Sequence, residues 1–89
     1  MKVAFRQSFE RDLGKIKDLS TLQRVRQVVE QVEHANNLQE VQNVRKLAGA
    51  AGFFRIRVGE YRIGIALVAD EVEFVRCLHR RDMLYRYFP

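Results

Sequence analysis

A two-residue turn, Gly59-Glu60, separates two runs in which apolar and polar side chains alternate, and this feature constrains the fold most. The runs are residues 53–58 before the turn and residues 61–68 after it. A loop of two residues that begins with Gly is typical of an antiparallel β-hairpin, and it fixes which residues pair. The sequence therefore predicts a hairpin with one apolar face and one polar face.

The predicted register brings like charges together on the polar face. Arg57 lies opposite Arg62, and Arg55 lies beside Gly64 on the same face. Directly opposed like charges destabilise an antiparallel pair by a few tenths to about 1 kcal/mol. Stability alone would disfavour such a pair, whereas an anionic ligand would explain it. The alternative is an ordinary solvated face whose arginines bind nothing.

A third strand is predicted at residues 72–78, and the length of the preceding loop decides where Arg76 lies. A three-residue loop at 69–71 places Arg76 opposite Gly64, brings Arg80 near the same edge, and turns Val75 and Cys77 toward the core. An even loop would drive Arg76 into the core, where an unpaired charge is costly. We therefore expect the odd loop. The predicted basic face comprises Arg55, Arg57, Arg62, Arg76 and Arg80.

The N-terminal half has the periodicity of one strand and two helices. A strand at residues 3–5 precedes a helix that Ser8 would cap and that ends near residue 18. A capping box at residues 20–23 predicts the start of a longer amphipathic helix, which ends near residue 37. A further short helix at residues 38–44 is left open.

These elements predict one α+β domain over residues 1–89. The expected order is β-α-α-β-β-β, with an antiparallel sheet, two N-terminal helices packed on one face and a short C-terminal helical tail.

The net charge is +5, and arginine outnumbers lysine by 12 to 4. Arginine suits bidentate phosphate contact and stacking on bases, which favours a polyanionic partner. No apolar run approaches the roughly 20 residues that span a bilayer. The single cysteine, Cys77, cannot form an internal disulfide, and no Cys/His cluster has zinc spacing. We therefore expect a cytoplasmic protein with no metal, no cofactor and no membrane partner.

Two stretches resemble the signatures of the RelE/ParE superfamily of toxins from bacterial toxin–antitoxin systems. The first is Arg45-Lys46-Leu47-Ala48-Gly49 followed by residues 54–63, and the second is residues 75–82 followed by Tyr85-Arg86. The resemblance implies a RelE-like mRNA interferase, which cleaves translated mRNA on the ribosome through attack of a ribose 2′-hydroxyl on the adjacent phosphate. It also implies a RelB-like antitoxin that binds the toxin in a hetero-oligomeric complex. The alternative within the superfamily is a ParE-like toxin that acts on DNA gyrase.

The resemblance also implies roles for particular residues. The implied catalytic residues are Arg55, Arg57, Arg62, Arg80 and Tyr85, with Tyr87 as the alternative to Tyr85. The implied RNA-binding residues are Arg45, Lys46, Arg76, Arg81 and Arg86. His79 and Glu60 are candidates for acid–base work or for support of the site, although alternation directs His79 away from the arginine face.

The best-known family member carries lysine at the positions of Arg55 and Arg57. Because arginine stays protonated, Arg57 is a poor general base but suits the stabilisation of charge on phosphate. Cys77 has no adjacent base and is interpreted as a small core residue rather than a nucleophile.

Overall fold

Five strands form one mixed sheet in the order β1-β5-β4-β3-β2 in a computed structural model that describes residues 1–47 and 51–82. The strands are β1 Lys2–Phe5, β2 Val44–Lys46, β3 Phe53–Val58, β4 Tyr61–Val68 and β5 Glu71–His79. The helices are α1 Gln7–Gly14 and α2 Leu19–His34, with short 3₁₀ turns at Leu38–Glu40 and Arg80–Asp82.

The predicted α+β class is confirmed, with two differences in the sheet. The sheet has a further strand, β2, at its edge, and β1 pairs in parallel with β5 where an antiparallel neighbour was expected. The predicted C-terminal tail falls on residues 83–89, which lie outside the described residues. No helix in the described ranges is long and apolar enough to cross a bilayer.

The predicted hairpin register is confirmed at every pair from Val58↔Tyr61 to Phe54↔Ile65. The apolar face of this hairpin forms the main core, because alternate side chains of β3 and β4 meet the helices on that side. The buried side chains come from the sheet and both helices, and each large one stabilises the fold by about 1.5–3 kcal/mol. They include Phe9, Val25, Val32, Ile56, Ile63, Ile65, Phe74 and Cys77.

Both helix starts differ from the predictions. Ser8 does not cap α1, because it lies inside the first turn and its hydroxyl donates a hydrogen bond to the Val75 carbonyl at 2.6 Å. Asp18, rather than the predicted capping box, caps α2. Hydrogen bonds from Thr21 and Ser20 lower the pKa of the Asp18 carboxyl. A carboxylate at this position satisfies N–H and O–H donors of the first turn.

Strand β2 was missed because three residues are too few to show an alternating pattern. Of the helix left open at residues 38–44, only a 3₁₀ turn at Leu38–Glu40 forms. Asn43 then adopts a φ of 65°, and its carbonyl accepts a hydrogen bond from Arg57 N–H at 3.1 Å. This reversal lays β2 along the open edge of β3.

The expected three-residue loop before β5 is wrong, although the expected pairing of Arg76 with Gly64 is correct. The register pairs Val68 with Glu71, so the loop has two residues, and Ala69 adopts a φ of 55°. A β-bulge then shifts the register between Gly64 and Ile65. The extra residue in β5 returns Arg76 to the sheet face that a three-residue loop would have given it. The bulge also removes Val75 from the main core, where it was expected, to a smaller apolar cluster with Leu47 and Ala66.

Candidate nucleic-acid interface

Three neighbouring strands place four arginines around one depression, which we call the arginine pocket. Arg45 of β2 lies opposite Arg55 of β3, and Arg57 of β3 lies opposite Arg62 of β4. Because Arg55 and Arg57 are two residues apart, all four side chains leave the same face of the sheet. They line a depression of about 590 Å³ together with Asn43 and Val44. Phosphate and sugar groups of a nucleic acid fit a concave basic surface of this kind.

Arg62 is the most constrained member of the arginine pocket. Its NH1 group donates hydrogen bonds to the carbonyls of Gly59 at 2.8 Å and Tyr61 at 2.9 Å, which holds the guanidinium against the hairpin turn. Partial burial lowers the pKa of Arg62, and the positive charges of Arg57, Arg55 and Arg80 lower it further. Arginine nevertheless stays protonated in proteins, so the repulsion favours binding of an anion.

No member of the arginine pocket forms an ion pair with any carboxylate of residues 1–47 and 51–82. The ion pairs in that part of the chain all engage arginines outside the pocket. The pocket therefore concentrates positive charge that the described fold does not neutralise.

Arg80 lies beside the pocket and is held by Glu60. Its Nε is 2.9 Å from Glu60 Oε2, and its backbone N–H donates to the Glu60 carbonyl at 2.7 Å. Both side chains are 62% exposed, and an ion pair so exposed contributes about 0–1 kcal/mol. The guanidinium of Arg80 can thus exchange Glu60 for an anionic ligand at little cost. The Glu60 carboxylate holds Arg80, and its negative charge slightly offsets the lowering of the Arg62 pKa.

The expected convergence of Arg76 with the other arginines is wrong. Its Nε and NH2 groups donate to Asp12 Oδ2 at 2.7 Å and Asp12 Oδ1 at 3.1 Å, which binds Arg76 to α1. This hydrogen bonding to Asp12 raises the pKa of Arg76 despite the opposing effect of burial. The contact escaped prediction because a helical carboxylate 64 residues away leaves no local signal in the sequence.

Lys46 and His79 also lie away from the arginine pocket. Lys46 pairs with Phe54, so it leaves the sheet on the helix-bearing face, opposite to Arg45. His79 faces away as alternation predicted: its ring contacts Tyr61 edge-on at 5.5 Å, and its Nδ1 accepts a hydrogen bond from Arg81 N–H at 3.3 Å.

The remaining candidates divide between exposed and undescribed positions. Arg81 is exposed, and its Nε lies 3.9 Å from Asp82 Oδ2. Tyr85, Arg86 and Tyr87 fall outside the described residues. Arg45, expected as an RNA-binding residue rather than a catalytic one, lies among the central arginines because the unpredicted strand β2 carries it there.

The Cys77 thiol is buried, with 2% of the residue exposed. Burial, and to a lesser degree the charge of Asp12, raises the pKa of Cys77 to about 12. A neutral, inaccessible thiol is a poor nucleophile, which agrees with the interpretation of Cys77 as a core residue. Within the described residues, no three His, Cys, Asp or Glu side chains are grouped so as to hold a metal ion.

Fold and pocket together define a small basic α+β domain, and comparison with known proteins specifies the family. The profile described as "ParE toxin of type II toxin-antitoxin system, parDE" matches residues 3–84. The chain therefore belongs to this family of type II toxins, in agreement with the RelE/ParE resemblance.

The relatives include both sequences and solved structures. Toxin RelE3 of Methanocaldococcus jannaschii is 37% identical over 90 residues, which cover 100% of both chains. The RelB-RelE antitoxin-toxin complex from Methanococcus jannaschii matches with a TM-score of 0.82 and 34% identity, over 97% of this chain and 99% of that one. The archaeal RelE-RelB complex from Pyrococcus horikoshii OT3 matches with a TM-score of 0.71 over 91% of this chain and 96% of that one, and at 18% identity it supports the fold alone.

Proposed function

We propose that this protein is a RelE-like toxin that cleaves messenger RNA on the ribosome. The observation that carries the proposal is the arginine pocket, in which Arg45, Arg55, Arg57 and Arg62 converge without a carboxylate partner in the described chain. Such uncompensated positive charge destabilises the sheet slightly. A bound phosphate would relieve the repulsion by accepting charge-assisted hydrogen bonds from the arginines. The match to Toxin RelE3 over the full chain supports the same activity class.

The proposed reaction is an in-line attack of a ribose 2′-oxygen on the adjacent phosphorus. The new O2′–P bond forms as the P–O5′ bond breaks. The 2′-hydroxyl gives up its proton and the departing O5′ takes one up, which leaves a 2′,3′-cyclic phosphate and a 5′-hydroxyl. Extra negative charge accumulates on the non-bridging oxygens in the transition state. Guanidinium groups that already face the phosphate stabilise that charge without reorganising, which is where such sites gain most of their rate.

The arginines would bind and orient rather than remove the proton, because a guanidinium does not deprotonate near neutral pH. Arg62, held by two backbone carbonyls, is the member best fixed for contact with the scissile phosphate. Arg57 and Arg55 would stabilise the phosphate charge from the neighbouring strand. Arg80 would join them by releasing Glu60, and Tyr85 remains a candidate for contact with the substrate base or ribose.

A RelB-like antitoxin would be the inhibitory partner. The toxin would act in the cytoplasm, because that is where it would meet the ribosome. The solved relative at 34% identity is a complex of RelB with RelE. An antitoxin that covers the arginine pocket would have to supply carboxylates to it, because the pocket has no acidic partner among the described residues. Co-expression with the product of an adjacent gene should therefore suppress toxicity and yield a stable complex.

The decisive experiment is cleavage of a defined message on purified ribosomes, with the 3′ ends of the products analysed. Wild-type protein should give 2′,3′-cyclic phosphate ends only when the message is ribosome-bound. Arg57→Ala combined with Arg62→Ala should reduce the rate by roughly 100-fold or more, as removal of charge-stabilising donors does elsewhere. Arg26→Ala is the matched control, because it removes an exposed arginine from α2, on the other side of the sheet, and should cleave as wild type does. Equal activity of the double variant and wild type would contradict the site assignment.

The second candidate function is poisoning of DNA gyrase, which the ParE description of the matching family favours. Intact messages and broken DNA in cells that express the toxin would favour gyrase as the target. Cleaved messages with intact DNA would favour the ribosome.

A further inference from the structure

The outer backbone edge of β5 changes neighbour half-way along the strand. Strand β1 covers the first half in parallel and ends where Phe5 pairs with Phe74. The Arg6 N–H donates the last main-chain bond across this edge, to the Phe74 carbonyl at 3.0 Å. Beyond that point the chain turns into α1, so the next outward N–H and C=O groups of β5 need partners of another kind.

Two polar side chains of α1 supply those partners. The Ser8 hydroxyl donates to the Val75 carbonyl at 2.6 Å, and Asp12 Oδ2 accepts from the Cys77 N–H at 2.9 Å. Ser8 and Asp12 are four residues apart, so they project from one face of α1, as the two groups on β5 require. Asp12 is 5% exposed and also binds Arg76, so its carboxylate is fully engaged.

One hydrogen bond is made by the bulged residue Val75 itself, and the other is made by Cys77, two residues beyond it. Val75 has no partner on β4, while Gly64 pairs with Arg76 and Ile65 pairs with Phe74. If the bulge were lost, the following residues of β5 would slide by one position, about 3.4 Å, and would exchange faces. The backbone groups of β5 that face Ser8 and Asp12 would then belong to different residues and would no longer match the two side chains. The hydrogen bonds of Ser8 and Asp12 therefore favour the bulged register.

The bulged register is what delivers Arg80 to the arginine pocket. After the bulge Leu78 pairs with Arg62 and His79 pairs with Tyr61, which sets Arg80 N–H against the Glu60 carbonyl. Arg80 is close enough to Arg62 for its charge to lower the pKa of Arg62. A one-residue slip would move the Arg80 backbone by about 3.4 Å along β5, away from its place beside Arg62.

We infer that Ser8 and Asp12 are positioning residues, which pin the bulge of β5 from α1 and so hold Arg80 at the arginine pocket. Neither side chain contacts the pocket itself. The consequence for cleavage rests on the proposed function, whereas the consequence for strand register does not.

The register is tested first, by amide hydrogen exchange and cross-strand NOEs in wild type, Ser8→Ala and Asp12→Asn. Both variants should lose protection at the Arg80 amide and weaken the contacts between Leu78 and Arg62, while the pairs of β3 with β4 persist. Glu10→Gln removes an exposed carboxylate from the same helix and should leave every contact unchanged. Wild-type protection of Arg80 in both folded variants would overturn the inference.

The effect on cleavage is tested with the same proteins on ribosomes. Misplacement of a site group by about 1 Å can cost roughly 100-fold in rate. Asp12→Asn should therefore lower kcat by about that factor while affinity for the ribosome stays within about twofold, since Arg45, Arg55 and Arg57 are untouched. Ser8→Ala should lower kcat less, and Ser8→Thr, which restores a hydroxyl, should recover it.

The outcomes separate the inference from the proposed function. If Asp12→Asn does not fold, the comparison of Ser8→Ala with Ser8→Thr decides the inference alone. If wild type cleaves the message and the folded variants have the same kcat as wild type, the inference is overturned and the proposed function stands. Absence of cleavage by wild type would reject the proposed function, and the exchange of the Arg80 amide would still decide whether α1 positions Arg80.

Discussion

Arg62 and Arg76 lie on adjacent strands, within two residues of each other in register, yet their guanidinium groups have opposite surroundings. Arg76 donates two hydrogen bonds to Asp12, and this contact raises its pKa. Arg62 bonds only to backbone carbonyls among its described contacts, and burial together with nearby arginines lowers its pKa. The first environment stabilises the charge and the second does not.

The difference indicates which arginine serves the fold and which serves a ligand. A half-buried guanidinium with a buried carboxylate partner is satisfied before any ligand arrives. A cluster of guanidinium groups without carboxylates is satisfied only when an anion binds, at some cost to the free protein. Sequence alone places both residues on the same basic face, so the partner rather than the residue type distinguishes them.

The largest expected effect concerns the paired side of the comparison. Asp12→Ala leaves the Arg76 guanidinium and the Cys77 N–H without their acceptor in a region that is largely buried. We expect the free energy of unfolding to fall by about 3 kcal/mol, because removal of one partner leaves the other buried and unpaired. Urea denaturation measures this change, with the exposed Glu10→Ala as control. A loss below about 1 kcal/mol would mean that water replaces the carboxylate and that the two environments differ little.

A smaller effect tests how well water is excluded beside the Asp12–Arg76 pair. The pKa of Cys77 rises from 9.0 to about 12 on folding, so the unfolded chain releases this proton first as pH increases. Stability is therefore unaffected below pH 9.0 and falls above it. From about pH 8 to about pH 10, wild type should lose about 1.4 kcal/mol more than Cys77→Ala. Parallel pH profiles for the two proteins would place the thiol in contact with solvent.

The smallest effect is expected in the arginine pocket, and its sign is opposite. Arg57→Gln removes one of two directly opposed charges and should raise the free energy of unfolding by a few tenths of a kcal/mol. Thermal unfolding at low salt gives the largest difference, because salt screens an exposed pair. Lys46→Gln, on the other face, should change stability less. A clear destabilisation by Arg57→Gln would reveal a partner for Arg57 and weaken the argument for an anion site.

The central hairpin was fully predictable because its information is local. Gly59-Glu60 sets the pairing, and alternation then assigns each side chain to a face without reference to the rest of the chain. The positions of Arg55, Arg57 and Arg62 followed directly. The α+β class followed equally well, from two amphipathic helical stretches and four strand patterns.

The errors share one physical cause, which is dependence on distant contacts. Strand β2 exists because β3 offers an open edge, and it carries Arg45 into the pocket although its own three residues show no pattern. The bulge in β5 depends on Ser8 and Asp12, more than 60 residues away in sequence. The odd loop was inferred from the cost of burying Arg76, and the chain meets the same requirement by a bulge instead.

The order of amino acids by itself determined the hairpin, its register and the presence of an arginine-rich face, because turn geometry and alternation act over neighbouring residues. Only the tertiary structure decided which arginines share a pocket and which one is neutralised. Coulombic and hydrogen-bond energies depend on distance in space, and folding brings Asp12 to Arg76 while leaving Arg62 among like charges.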